Sequence, residues 1–200
     1  MNITPSDTRY TPLTQQKWCC TPTCFQIVML RHKIPLIPAE LIGYYMGLIV
    51  PKDGLKYFWN ARTGERPPAG YGTQAGKKEY APNAVFKKLN IPLKMTWSLI
   101  NKYMNIDDFK KYLSKIEAND DDVLVCFDWG KLFDKHDYQG GHVCVLDRVY
   151  LDKNEIKIID PECDAPKWRV VNIDKLYESM KFHGADKSGG FWELHYIPQE

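Results

Sequence analysis

The sequence predicts an α+β fold of one domain spanning residues 1–200, with a helical half packed on an antiparallel β-sheet half. Three observations carry this. Apolar residues recur at helical spacing in the segments before residue 119. After the acidic turn at 119–122 the pattern changes to short strand-like runs. Helices therefore come first and antiparallel strands follow, the segregated order of α+β proteins rather than the alternation of α/β ones.

Taken in order, the first 18 residues read as an irregular lead-in containing Pro5 and Pro12. Residues 20–32 read as a helix: Cys20, Cys24 and Ile27 recur at helical spacing, Phe25, Val28 and Met29 widen the apolar stripe, and Pro22 suits the first turn. Pro38 opens a second helix to residue 48. Residues 51–80, with five glycines and the pair Pro67-Pro68, read as a long excursion of loops. Its aromatics Tyr57, Phe58 and Trp59, like Trp97 further on, are expected in the core, with a place in a cleft wall left open. A short helix covers 81–89, and Asn105 caps another that puts Phe109, Tyr112, Leu113 and Ile116 on one face. Strands follow at 123–129, 143–150, 155–160, 168–171 and 191–197, with a small helix at 173–180. The chain shows neither internal repeat nor low-complexity tract.

Composition narrows the function classes. A net charge of +2 without a basic block leaves no electrostatic footprint for nucleic acid. The longest apolar run, 41–50, is too short to insert in a bilayer, and the polar start lacks a signal-peptide core. Three of the six cysteines crowd into 19–24, and Cys126 and Cys144 sit in apolar strands, so reduced thiols in a cytoplasmic protein are expected, with leaderless export left open.

Three features carry chemistry. Gln15-Gln16-Lys17-Trp18-Cys19-Cys20-Thr21-Pro22 ends at a helix start, where unpaired N–H groups and the helix dipole favour a thiolate. A glutamine just upstream is a candidate oxyanion donor. Gly140-Gly141-His142 opens a strand; the glycines would let a substrate approach the imidazole, a candidate acid–base. Asp160 ends the next strand and could orient that imidazole. This last pairing depends on register. A three-residue loop centred near Leu151 puts His142 and Asp160 on one sheet face, whereas a two-residue turn at Lys153-Asn154 puts them on opposite faces.

Gln-x4-Cys-x-Pro at a helix start, then Gly-His-Val, then Asp-Pro on the following strand resembles the C39-like branch of the papain-like cysteine peptidases, from about residue 13 to 197. The resemblance implies a papain-like fold and a catalytic set of Gln15, Cys20, His142 and Asp160, with a peptide or protein as substrate and no cofactor. Thr21 stands where that family usually has glycine, and the 51–80 excursion has no counterpart in the motif.

Each residue also has a plainer reading. Cys20 could be a buried helix thiol, with Cys19 the rival nucleophile and Cys24 a packing residue. His142 could be a strand-end histidine, Asp160 a turn former before Pro161, and Gln15 and Gln16 compete for the oxyanion role. His32, His136, His183 and His195 read as surface or core histidines. A zinc site from Cys20, Cys24, His142 and Cys163 lacks the Cys-x2-Cys pair that would support it. The triad would also serve a side-chain deamidase or a transglutaminase-like acyl transferase, and a non-catalytic binding protein on a peptidase scaffold is the alternative from another class.

Overall fold

The computed structural model describes residues 6–60, 62–135, 137, 140–163 and 167–198. The helices are α1 (Cys20–Arg31), α2 (Ala39–Tyr45), α3 (Pro82–Leu89), α4 (Ile106–Asn119), α5 (Trp129–Leu132) and α6 (Ile173–His183). The strands are β1 (Leu93–Leu99), β2 (Asp122–Asp128), β3 (Gly141–Tyr150), β4 (Glu155–Ile159), β5 (Trp168–Asn172) and β6 (Gly190–Tyr196). They form one antiparallel sheet in the order β1-β6-β2-β3-β4-β5.

Helices cover both faces of this sheet, so the two halves are less segregated than the sequence predicts. On one face Leu124, Val143, Val145 and Trp192 meet Phe25, Val28 and Met29 of α1. On the other, Val125, Phe127, Leu146 and Ile158 meet Phe109 and Leu113 of α4 and Leu176 of α6. This explains why β2 is buried at every position and reads as a continuous apolar run instead of an alternating one. It also explains why α1 is buried nearly all round. Each fully buried side chain of this size contributes roughly 1.5–3 kcal/mol, so α1 is held mainly by packing. Its C-terminal end is tethered by polar contacts, with Arg31 and His32 both on Asp122, at the start of β2.

Strand β1 is absent from the sequence reading. Its burial alternates from Leu93 to Thr96 and then breaks at the half-buried Trp97, which packs on Trp192. The alternation of Leu93 and Met95 was the available signal, diluted by Pro92 before it and Trp97 after it. His136 lies outside the described residues. Among those described, no helix is long and apolar enough to cross a membrane.

The β3–β4 hairpin decides which face Asp160 occupies. Tyr150 pairs with Glu155 across a four-residue loop, 151–154, neither of the loops considered from the sequence. Continued without interruption, that register would pair Val145 with Asp160 and turn the carboxylate towards α1. Instead the register shifts between Leu146 and Arg148, so Leu146 faces Ile158 and Val145 faces Ile159. Asp147 is the extra residue of this β-bulge. Extended by one step beyond β4, that register sets Asp160 opposite Cys144 and diagonal to His142 on the same face, where the two side chains are hydrogen-bonded.

A bulge leaves ladder groups unpaired, and the lead-in supplies partners. The Arg9 guanidinium donates to the carbonyl oxygens of Leu146 and Asp147, and the Arg9 backbone N–H donates to Asp147 Oδ1 at 2.8 Å. The Asp147 carboxylate is fully buried; Lys157 Nζ lies 3.3 Å from its Oδ2.

Candidate active site

Cys20 is the first residue of α1, and Cys19 caps the helix without a side-chain hydrogen bond. The Thr23 N–H closes the first helical bond to the Cys19 carbonyl, leaving the earlier amides of the turn free of helical partners. Just before, Trp18 adopts a left-handed backbone with φ of 68°, an uncommon conformation for a bulky residue. The excursion holds it there. The Trp18 ring lies over Gly54, where a Cβ would come within 2.5 Å of the indole, and stands 6.0 Å from the Phe58 ring. Residues 51–80 thus clamp the turn that aims Cys20. Phe58 is buried as expected, but Tyr57 and Trp59 are exposed, as the polar surroundings of a surface loop allow.

His142 is the second residue of β3 and is buried. Its Nε2 bonds Asp160 Oδ1 at 2.8 Å, which leaves Nδ1 as the nitrogen for other work. Asp160 is fully buried, and its Oδ1 also accepts the Glu162 N–H at 3.0 Å. Its Oδ2 lies 2.8 Å from Arg169 Nε, without the alignment of a hydrogen bond, so this contact is ionic. Burial disfavours the carboxylate, yet the His142 bond and charge, the Glu162 amide and Arg169 together hold it below its ordinary 3.8. The balance is reasonable: a hydrogen bond to a charged group is worth about 1.5–3 kcal/mol, and one pKa unit about 1.4 kcal/mol.

Gly141, beside His142, serves packing instead of substrate access. A Cβ on Gly141 would lie 2.5 Å from Cε1 of His183, so the vacant volume is filled by a neighbouring ring. His183 itself accounts for that contact as a structural histidine.

The thiols separate sharply. Burial pushes Cys19, Cys24 and Cys126 up, and raises Cys144 to about 12. Cys20 moves the other way. Burial opposes its thiolate too, but the His142 hydrogen bond and charge, the Val143 N–H and the Thr21 hydroxyl outweigh it and bring the thiol below 9.0. Thr21, where the resembled family usually has glycine, therefore contributes a donor to the sulfur. Burial also opposes the His142 imidazolium, while Cys144, Asp160 and Cys20 raise it well above 6.5. Because Cys144 is neutral until about 12, Asp160 is the charge that holds the imidazolium near neutral pH.

Of the remaining candidates, Gln15 is buried with its Nε2 2.6 Å from Glu162 Oε2, whereas Gln16 reaches out to the Tyr57 carbonyl. Cys24 packs with its thiol on the Val143 carbonyl. The zinc set weighed from sequence does not coincide with the grouping found: among the described residues, His142, Cys144 and Asp160 are the three whose donor atoms lie within 4.8 Å of one another. In that set His142 Nε2 is already bonded to Asp160. A cavity of ≈ 680 Å³ opens between α2, the excursion and α3, lined by Tyr44, Tyr45, Arg66, Pro68, Tyr80 and Lys88. Cys20, His142 and Asp160 are not among its lining residues, so it is a neighbour of the site and not the site itself. Sequence reasoning missed Arg169, Glu162 and Cys144; Glu162 lies two residues after Asp160, close enough to have been weighed.

No protein-family model and no curated protein matches the chain. Among solved structures, a protein from Bacillus anthracis provisionally named a C39-like peptidase superposes with a TM-score of 0.51 at 15% identity, over 94% of this chain and 95% of that one. The fold is papain-like. At 15% identity that likeness speaks for the fold alone.

Proposed function

We propose that this chain is a cysteine amide hydrolase that cleaves a peptide or isopeptide bond in a peptide or protein substrate. The observation that carries the reading is the geometry: Cys20 opens α1, and the buried His142 is bonded through Nε2 to Asp160 at 2.8 Å, which leaves Nδ1 for other work. In keeping with it, burial holds Cys19, Cys24, Cys126 and Cys144 as neutral thiols, whereas His142 draws Cys20 towards thiolate. Buried packing has no use for that charge, whereas nucleophilic catalysis requires it.

In this mechanism the Cys20 sulfur attacks the carbonyl carbon, and the oxyanion is met by backbone N–H groups at the start of α1 and by the Gln15 amide. The His142 imidazolium gives its proton to the leaving amine as the C–N bond breaks, leaving a thioester on Cys20. Neutral His142 then takes a proton from water, which attacks the thioester and releases the acid and the thiolate. Asp160 keeps the ring oriented and stabilises the imidazolium.

The reading is tested by pH. The active ion pair needs Cys20 deprotonated and His142 protonated. Cys20 is drawn below 9.0 and His142 is raised well above 6.5, so both shifts move the couple towards the ion pair. Alkylation of Cys20 by iodoacetamide is expected to be fast at pH values where a free thiol is protonated, and to fall only on acidification through the Cys20 pKa. Hydrolysis is expected to fall as pH rises through the His142 pKa. An alkylation profile that simply follows an ordinary thiol near 9.0 would overturn the proposal.

A further inference from the structure

The Gln15 side chain has an unusual environment. It is buried, yet its Oε1 has no hydrogen-bond partner among the described residues. Its Nε2 has one, Glu162 Oε2 at 2.6 Å. A carboxylate can only accept hydrogen bonds, so only the NH₂ side of the amide can face it. With Oε1 unpartnered, nothing else in its surroundings distinguishes the amide from its flipped form.

Glu162 is itself fixed to the site from the other side. Its N–H donates to Asp160 Oδ1 at 3.0 Å, and the Gln15 N–H donates to the Pro161 carbonyl at 2.7 Å. Its second carboxylate oxygen accepts the Cys163 N–H at 2.9 Å. The turn after Asp160 therefore carries a carboxylate whose position is tied to the orienting acid and whose free oxygen is spent on Gln15.

An amide NH₂ has two hydrogens. One is taken by Glu162 and the second remains for a developing oxyanion. The flipped amide would instead present a carbonyl oxygen, which repels that charge. We infer that Glu162 is a positioning residue that selects the orientation of Gln15 in which its amide can donate to the oxyanion, coupling the oxyanion donor to the Asp160 turn. This rests on the hydrolase reading above.

The test compares two reactions of Cys20 in a Cys163→Ser background, which removes the exposed thiol. Acetylation by p-nitrophenyl acetate passes through an oxyanion as the C–S bond forms and p-nitrophenolate leaves. Alkylation by iodoacetamide displaces iodide at a saturated carbon and builds no oxyanion. Removing an oxyanion donor costs about 10²–10³-fold, and misaiming one should cost roughly tenfold or more. Glu162→Ala is expected to slow acetylation by that factor and leave alkylation unchanged. Glu162→Gln, which keeps an acceptor, should restore most of the rate. In a Gln15→Ala background, Glu162→Ala should add nothing further.

Acetylation that is unchanged or faster in Glu162→Ala overturns the inference. So does a loss shared equally by alkylation, or a full additional loss on top of Gln15→Ala. Failure of the hydrolase reading looks different: Cys20 of the Cys163→Ser protein itself would take up no acetyl group, and the inference would fall with it.

Discussion

Replacing Cys20 with alanine is expected to lower amide hydrolysis by on the order of 10⁴-fold or more while leaving the fold in place. The size of the effect follows from the role: no other group in the site can form the covalent bond. Cys19 precedes the helix, is fully buried beside Leu48, Val50 and Phe58, and is held protonated by that burial. Cys24 and Cys144 are likewise buried as neutral thiols. The structural cost should be small, because the variant keeps the first helical position and truncates a half-buried side chain by a single atom. Melting within a few degrees of the parent, about 1 kcal/mol or less in stability, should accompany the loss of turnover. A well-folded Cys20→Ala protein that retained activity would remove the nucleophile and the mechanism with it.

Asp160→Asn is the second large effect, and it separates orientation from charge. Asparagine preserves the shape and can still accept from the His142 ring and the Glu162 amide, but it removes the negative charge that the imidazolium needs. The sign follows: without that charge His142 becomes less basic and Cys20 less acidic, so the ion-pair window closes from both ends. A fall in kcat of about 10²–10⁴-fold is expected, with alkylation of Cys20 shifted to higher pH. Stability should fall as well. Arg169 faces Asp160 at 2.8 Å and is about one-fifth exposed, so it loses its charge partner in a partly desolvated position. Breaking a buried pair costs about 3–5 kcal/mol, and the exposure of Arg169 places this case at or below the low end. The measurements are a pH–rate profile and a denaturant titration; an unshifted Cys20 alkylation profile would contradict the assigned role.

Much of the scaffold was legible in the sequence because local chemistry and packing agree there. Asn105 accepts the Asp108 N–H at the start of α4, and the apolar positions behind it, Phe109, Leu113 and Ile116, are the buried ones. Pro38 stands at the N-cap of α2 and the Cys20 helix begins where its spacing indicates. The relation between His142 and Asp160 was not legible in the same way. It depends on a four-residue loop combined with a bulge at Asp147, and the loop alone would have put the two side chains on opposite faces. The partner of the bulge, Arg9, is 138 residues away, beyond the reach of any periodicity argument. The reading of Gly141 failed for a similar reason: the ring that fills its missing side chain comes from His183, on α6. Trp18 and Gly54 are another such pair, in which the glycine is required by a side chain distant in sequence.

The central claim is that Cys20, unlike the buried Cys19, Cys24, Cys126 and Cys144, carries thiolate character. Peptide mapping by mass spectrometry after substoichiometric iodoacetamide at about pH 6, where ordinary thiols are almost wholly protonated, tests it most directly. The predicted result is carbamidomethylation at Cys20, with Cys19, Cys24, Cys126 and Cys144 unmodified. Label confined to the exposed Cys163, or found on Cys19 with Cys20 spared, would contradict it.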